Sequence, residues 1–186
     1  MPHELILGGQ RSGKSRCAEQ RASAWLAQPG RSAVLLATAL AGDAEMTERI
    51  ARHRADRALR VPGLASAEVP RELAQALRQH SAPPQLVVID CLTLWLTNLL
   101  MPLQGASLSD AELDGVCCDF IAALQSAPGP VVIVSNEIGL GLSPMTSAAR
   151  RFVDELGRLH QLVAAACDHV TLMIAGIAVP VKGVRS

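Results

Sequence analysis

The residues best suited to chemistry form one glycine-rich segment, residues 8–15, with the sequence GGQRSGKS. This segment matches the phosphate-binding pattern G-x-x-x-x-G-K-[ST] at every fixed position, and it lies between an apolar run typical of a buried strand and a predicted helix. Glycines let such a loop curl so that backbone N–H groups point at phosphate oxygens, and the helix adds the positive end of its dipole. A loop that only turned the chain would not need every fixed residue, so the sequence predicts nucleotide phosphate binding.

Two side chains of this loop have specific predicted roles. Lys14 is the expected point charge on the outer phosphates, and Ser15 is the expected Mg²⁺ ligand. Asp90 ends another apolar run and is the predicted second metal ligand, although an aspartate there can also simply cap the next helix. The whole loop is expected to contact the nucleotide, through Gly8, Gly9, Gln10, Arg11, Ser12, Gly13, Lys14 and Ser15.

A basic segment, residues 43–60, is predicted to be a helix with Met46, Ile50 and His53 on one face. Five arginines surround that histidine: Arg49, Arg52, Arg54, Arg57 and Arg60. Arginine suits bidentate phosphate recognition, so the helix is a candidate for contacts with a nucleotide. Spacing alone nevertheless favours a packed or ion-paired His53 over a nucleophile, and a basic run is most often a solvated face.

The rest of the chain alternates short apolar runs with amphipathic helical segments. Strands are predicted at residues 5–7, 33–37, 86–90, 131–134 and 170–175, with an edge strand at 177–181 because it contains Pro180. Residues 61–70 contain two prolines and are predicted to be irregular. Such alternation predicts an α/β fold with a mainly parallel sheet and helices on both faces.

Ligands of these sheets bind beyond the carboxyl ends of the strands. This rule gathers several polar residues near the phosphate loop: Thr38, Asp90, Ser135, Asn136 and Glu137. Asn136 and Glu137 are equally consistent with a substrate-positioning pair or a general base and with a polar turn, so the sequence leaves both interpretations open.

Composition narrows the class of protein. A chain of 186 residues is expected to form one domain, residues 1–186, and its 17 basic and 17 acidic residues create no field that would attract nucleic acid. Five scattered cysteines without metal-ligand spacing fit a reducing cytoplasm, and a strand so near the first residue leaves no room for a signal peptide. The most apolar stretch, residues 91–101, is too short and too polar for membrane insertion.

Several motifs occur together in a characteristic order. They are residues 8–15, Ala37-Thr38-Ala39, Arg49-Ile50-x-x-His53, the segment DCLTLWLTN at 90–98 and the segment SNEIGLG at 135–141. In this combination the chain closely resembles the bifunctional adenosylcobinamide kinase/adenosylcobinamide-phosphate guanylyltransferase family of cobalamin biosynthesis. The resemblance covers essentially the whole chain, and the combination is far more specific than the phosphate loop alone.

The resemblance implies a RecA-like phosphate-loop fold, a homotrimer and two reactions. ATP or GTP phosphorylates the aminopropanol hydroxyl of the corrinoid adenosylcobinamide, and GTP then gives GMP to His53, from which the substrate phosphate accepts it to form adenosyl-GDP-cobinamide. The implied catalytic residues are His53 and Lys14. Beyond the phosphate loop, the implied nucleotide contacts are Ala37, Thr38, Ala39, Arg54, Ala55, Asp56, Arg57, Glu68 and Asp90.

One stretch departs from the family pattern. Ala58 follows Arg57 where the family usually has proline, and Ser66 stands in the place of a threonine. The segment also lacks the family's tryptophan, and the spacing from Arg57 to Glu68 is a few residues longer. The role of Glu68 therefore rests on the weakest part of the resemblance.

Two other classes share the phosphate loop. A nucleotide-dependent switch would use the loop but leaves the arginine- and histidine-rich helix without a role. A small-molecule kinase with a single activity does not need His53.

Overall fold

Strands and helices alternate along most of the chain in the computed structural model, which describes residues 2–142 and 144–183 apart from the side chains of Glu45 and Arg49. The strands are β1 (Glu4–Gly8), β2 (Ser32–Ala37), β3 (Leu64–Glu68), β4 (Gln85–Asp90), β5 (Val131–Val134), β6 (His169–Ile174) and β7 (Ile177–Lys182). The helices are α1 (Lys14–Leu26), α2 (Ala44–Arg60), α3 (Leu73–His80), α4 (Leu92–Leu100), α5 (Asp110–Gln125) and α6 (Ser147–Ala166).

The described strands pair into one sheet in the order β3-β2-β4-β5-β1-β6-β7. Neighbouring strands are parallel except for β6 and β7, which run antiparallel, so the predicted edge strand with Pro180 is confirmed. Because β5 lies between β1 and β4, its carboxyl end lies between the phosphate loop and Asp90.

Both faces of the sheet are covered, as the sequence predicted. Successive strand residues point to opposite faces, and Leu5 and Ile6 accordingly belong to two different apolar clusters. The Leu5 cluster packs the sheet against α3, α4, α5 and α6, whereas the Ile6 cluster packs it against α1. The prediction of an α/β fold with a mainly parallel sheet is therefore confirmed.

Side-chain caps fix where several helices begin. Asp43 accepts a hydrogen bond from the Met46 N–H at 2.7 Å and starts α2, the basic helix. Ser109 and Glu112 form a capping box at the start of α5, in which each side chain accepts from the other residue's N–H. The cap at Asp43 explains why the start of the basic helix, predicted at residues 43–60, agrees with the structure.

The strand β3 corrects the prediction that residues 61–70 are irregular. Its sequence, LASAE, is mostly small and polar, and it pairs only with β2 at the edge of the sheet. An edge strand needs few apolar side chains because its side chains are largely exposed. Hydrogen bonds from its backbone to β2 hold it in the sheet. The pairing sets Glu68 opposite Ala37, at the carboxyl end of the sheet.

None of the helices in the described residues combines the length and the apolar character that crossing a membrane requires.

Candidate active site

The phosphate loop connects β1 to α1 and depends on glycine at two positions. Gly8 has φ 155°, and a Cβ there would lie 2.5 Å from the carbonyl oxygen of Met173 on β6. Gly13 has φ 98° and precedes the first residue of α1. Between them, the Ser12 N–H donates to the Gly9 carbonyl at 3.2 Å, which closes a turn. Side chains at either glycine would strain the loop or push it away from β6.

Lys14 is held against this loop. Its Nζ donates to the Gly9 carbonyl oxygen at 2.6 Å, and the residue is only 7% exposed. Burial lowers the pKa of Lys14, while the Cys91 thiol and the Asp90 carboxylate act in the opposite direction. Folding thus removes the charged ammonium of Lys14 from water at a cost in free energy, and places it beside backbone groups suited to bind phosphate.

Asp90 at the end of β4 faces the first turn of α1. Its carboxylate is hydrogen-bonded to the Ser15 side chain, so the two predicted metal ligands are brought together. Burial raises the pKa of Asp90, and the Ser15 hydrogen bond and the charges of Arg57 and His53 oppose that shift. Across the described residues, no group of three or more His, Cys, Asp or Glu is arranged to hold a metal. One carboxylate and one hydroxyl fit Mg²⁺, which takes few protein ligands and completes its shell with phosphate and water.

Ion pairs with α1 hold the basic helix α2 near the phosphate loop. Glu19 of α1 lies 2.8 Å from Nε of Arg60 and 3.7 Å from Nε of Arg57, and its side chain is only 9% exposed. Arg54 forms an ion pair with Glu68 of β3. His53 is exposed, and its charge acts on the buried Asp90 carboxylate. The structure therefore brings His53, Arg57 and Asp90 into one region, which sequence spacing could not establish.

Other predicted nucleotide contacts are in different surroundings. Thr38 is fully buried, and its hydroxyl donates to the Cys91 carbonyl at 2.7 Å and accepts from the Cys91 N–H at 2.8 Å. These bonds join the end of β2 to the turn after β4. Ala55 and Asp56 lie on the exposed side of α2, and Asp56 is 4.0 Å from Nη1 of Arg60. The contacts of these residues with a nucleotide stay predictions.

A polar cluster beside the loop joins the predicted edge residues Ser135 and Glu137 to His160 and Thr93, for which the sequence indicated no role. His160 of α6 contacts the Ser135 hydroxyl through Nε2 at 2.7 Å, and its Nδ1 lies 3.6 Å from Oε2 of Glu137. Thr93 of α4 lies 3.2 Å from the same serine hydroxyl. The available signal was a histidine within the apolar stripe of α6, four residues after Leu156, since a buried polar group requires partners.

A phosphate loop on the first strand, an acidic residue at the end of a nearby strand and a mainly parallel sheet define a phosphate-loop nucleotide-binding enzyme. Residues 4–181 match the sequence model of the family described as cobinamide kinase / cobinamide phosphate guanyltransferase. The chain belongs to this family, and the family predicted from its motifs is confirmed.

Full-length relatives support the assignment. The chain is 45% identical over 181 residues to the bifunctional adenosylcobalamin biosynthesis protein CobP of Pseudomonas aeruginosa, with 97% of each chain covered. It is 36% identical over 186 residues to the protein CobU of the same description from Salmonella typhimurium, covering 96% of this chain and 98% of the relative. The crystal structure of flagellar accessory protein FlaH from Methanocaldococcus jannaschii matches with a TM-score of 0.53 and 12% identity, over 98% of this chain and 80% of that one. This last likeness concerns the fold alone.

Proposed function

We propose that this chain phosphorylates adenosylcobinamide with ATP or GTP and then transfers GMP from GTP, through a guanylylated His53, to give adenosyl-GDP-cobinamide. Membership of the family supports both reactions. The observation that carries the assignment of His53 is its proximity to Asp90, whose carboxylate is hydrogen-bonded to Ser15 of the phosphate loop. An exposed imidazole close to that loop is suited to attack a bound nucleotide, and a kinase alone would not need it.

In the kinase step, the substrate hydroxyl attacks the γ-phosphorus and the nucleoside diphosphate leaves. The loop N–H groups and Lys14 stabilise the charge that spreads over the phosphoryl oxygens. Ser15 and Asp90 would hold Mg²⁺, which supplies further positive charge on the β- and γ-phosphates when bound. The main contribution of this chain is therefore fixed positive charge and orientation.

In the guanylyltransferase step, a neutral imidazole nitrogen of His53 attacks the α-phosphorus of GTP. A P–N bond forms, the bond from the α-phosphorus to the bridging oxygen breaks, and pyrophosphate leaves with the electron pair. The phosphate of adenosylcobinamide phosphate then attacks the same phosphorus and releases His53. Arg57, held beside Asp90, and Arg54 are the candidate partners of the phosphate oxygens.

The remaining nucleotide contacts are proposed from the family resemblance. Residues 8–15 would surround the phosphates, and Ala37, Ala39 and the fully bonded Thr38 would contribute through shape and main chain. Glu68 is a candidate for nucleotide recognition because it ends β3 opposite Ala37. Its ion pair with Arg54 gives it a second role, in holding α2.

We also propose that residues 1–186 act as one domain of a cytoplasmic homotrimer that does not bind nucleic acid. The trimer follows from the family resemblance and is supported by exposed apolar side chains around the edge strand: Ile174, Ile177, Val179 and Val181. Light scattering in dilute solution should give the mass of three chains. A mass of one chain at working concentration would contradict the trimer.

The decisive experiment separates the two activities at His53. His53→Asn should abolish formation of the GMP adduct, because the amide is not a nucleophile, while ATP-dependent phosphorylation of adenosylcobinamide remains measurable. Mass spectrometry of the intact protein after incubation with GTP and Mg²⁺ detects the adduct, and peptide mapping locates it. The bond should hydrolyse in acid and survive base, as histidine phosphoramidates do.

His80→Asn, at the end of α3, is the matched control and should form the adduct normally. GMP on another residue, or full guanylyltransferase activity in His53→Asn, would contradict the proposal. Slow GTP hydrolysis without adduct or phosphorylation by the wild-type chain would favour the nucleotide switch. Phosphorylation without an adduct would favour the single-activity kinase.

A further inference from the structure

Glu137 lies at the edge of the sheet where the phosphate loop and Asp90 meet. It follows β5, which separates β1 from β4, and its N–H donates to the Gly8 carbonyl at 2.9 Å. The backbone of Glu137 is therefore attached to the first residue of the phosphate loop. Ligands of open α/β sheets bind beyond this edge, so Glu137 lies on the side of the sheet where a substrate is expected.

The carboxylate of Glu137 is held from two sides and remains accessible. Its Oε1 accepts from the Gly139 N–H at 2.7 Å, and its Oε2 lies 3.6 Å from Nδ1 of His160. The side chain is 23% exposed. Within the described part of the chain, no lysine or arginine forms an ion pair with it. Such a carboxylate is oriented without being neutralised.

A directional hydrogen-bond chain orients His160. The Asn136 N–H donates to Oγ1 of Thr93 at 2.8 Å, that hydroxyl lies 3.2 Å from Oγ of Ser135, and Ser135 lies 2.7 Å from Nε2 of His160. A lone pair on Nδ1 would be repelled by the Glu137 carboxylate, so the ring proton belongs on Nδ1. Nε2 then accepts from the Ser135 hydroxyl, and every member of the chain is satisfied.

The charge state of His160 suits this role. The residue is 6% exposed, and burial lowers the pKa of His160 while Glu137 acts in the opposite direction. A neutral imidazole can point an N–H at Glu137 without adding a full positive charge. An arginine in that place would stabilise the carboxylate anion and make it a weaker base.

Other candidate bases near the phosphate loop are already engaged. Asp90 is hydrogen-bonded to Ser15 and suited to hold Mg²⁺. Glu19 is tied to Arg57 and Arg60. Glu68 is paired with Arg54. Glu137 is the carboxylate of this region whose described partners are a main-chain N–H and an imidazole.

We propose that Glu137 is the general base of the kinase step and that His160 is its positioning residue. The inference rests on the proposed function and adds a residue to it. As the substrate hydroxyl oxygen bonds to the γ-phosphorus, its proton passes to Oε2 of Glu137. The bond to the β–γ bridging oxygen breaks, the nucleoside diphosphate takes the electron pair, and Glu137 later releases the proton to solvent.

Glu137→Gln tests the base directly, because the amide keeps the shape of the side chain but cannot accept the proton. We expect kcat for ATP-dependent phosphorylation of adenosylcobinamide to fall by about 10²–10⁴-fold, with the KM for ATP within about twofold of wild type. GMP loading of His53 in the same preparation reports folding and nucleotide binding. Glu155→Gln is the matched control, since Glu155 has 22% side-chain exposure and contacts Arg158 on α6.

His160 is tested by a pair of substitutions. His160→Ala removes the contact with Glu137 and should lower kcat of the kinase step by about tenfold or more. His160→Asn can place an amide N–H near the position of Nδ1 and should recover part of that loss, with KM for ATP unchanged in both variants. A merely structural role of His160 would reduce binding and turnover together, without rescue by asparagine.

The outcomes distinguish this inference from the proposed function. Full kinase turnover in Glu137→Gln, beside a wild type that phosphorylates adenosylcobinamide, would overturn the base while leaving the proposed function intact. Loss of both phosphorylation and GMP loading in Glu137→Gln would also overturn it, because the residue would then be structural. A wild-type chain that phosphorylates no adenosylcobinamide would overturn the proposed function and this inference with it.

Discussion

Lys14 combines its proposed role at the phosphates with a cost to the stability of the fold. Burial lowers the pKa of Lys14, which means that the charged form of the side chain is less stable in the folded protein than in water. Its Nζ donates to the Gly9 carbonyl and, at 3.5 Å, to the Ser12 hydroxyl, both within the loop. The proposed role of Lys14 at the phosphates therefore competes with no described contact to the apolar core.

Substitution of Lys14 should separate stability from activity. We expect Lys14→Met to lower both the kinase and the guanylyltransferase rates by at least about 10²-fold, because a preorganised positive charge is lost. Its thermal midpoint should equal or exceed that of wild type, since a buried charge is removed. Arg16→Met, an exposed position on α1, is the control and should keep both rates. A strong drop in the midpoint of Lys14→Met would show that the lysine is structural.

Residue roles differ in how far the sequence reveals them. The placement of residues 8–15 between a strand and a helix could be predicted because it is local, and that of Asp90 near them because the carboxyl ends of parallel strands meet at one edge of the sheet. The position of His53 near Asp90 could not, since it depends on the ion pairs from Glu19 to Arg57 and Arg60, across two helices. The contact of His160 with Ser135 spans 25 positions and has no local pattern.

Among the elements, α4 joins the end of β2 to the turn before α3. Its Asn98 is 7% exposed, and its side-chain amide donates to the Thr38 carbonyl at 2.8 Å and to the Pro70 carbonyl at 3.0 Å. These carbonyls belong to connections that lie at the carboxyl end of the sheet. One buried amide thus fixes loops on which the site depends.

Replacing this amide should destabilise the fold measurably. Asn98→Leu leaves the buried Thr38 carbonyl and the part-buried Pro70 carbonyl without this partner, and we expect the free energy of unfolding to fall by about 2–3 kcal/mol. Urea unfolding followed by circular dichroism gives the value. Thr97→Ala is the control, because its hydroxyl donates only to the Thr93 carbonyl within α4, and its effect should stay below about 1 kcal/mol. Equal effects of the two substitutions would contradict the role given to Asn98.

The elements also show where pattern analysis fails. Strands β1, β2, β4 and β5 are apolar because both of their faces are covered, so their positions could be predicted. β3 was missed because an exposed edge strand of small residues has no such run, and its existence depends on pairing with β2. α2 was correctly predicted, although its packing is ionic rather than apolar, because Asp43 caps it and its helical period is regular.

At the scale of the whole molecule, one buried and one half-buried histidine make stability depend on pH. Burial lowers the pKa of His160. It also lowers the pKa of His3, although the charge of Asp168 acts to raise it. In each case the unfolded chain binds a proton more readily than the folded one. Their contribution to stability is therefore complete above the ordinary histidine pKa of about 6.5 and is lost as the pH falls below it. The effect of Asp90 on stability has the opposite pH dependence. Burial raises the pKa of Asp90, so the folded chain favours the protonated carboxyl and this residue stabilises the fold less as the pH rises.

His160→Gln removes the pH-dependent contribution of the more deeply buried of these two histidines. At pH 7.5 the variant should be less stable than wild type, because the bond from Ser135 to the imidazole is weakened. On lowering the pH to 5.5, wild type should lose stability that the variant cannot lose, so the difference in unfolding free energy should narrow by up to about 1.4 kcal/mol. Urea unfolding of both proteins at the two pH values measures this difference. A gap that stays constant or widens in acid would mean that His160 is not held neutral by burial.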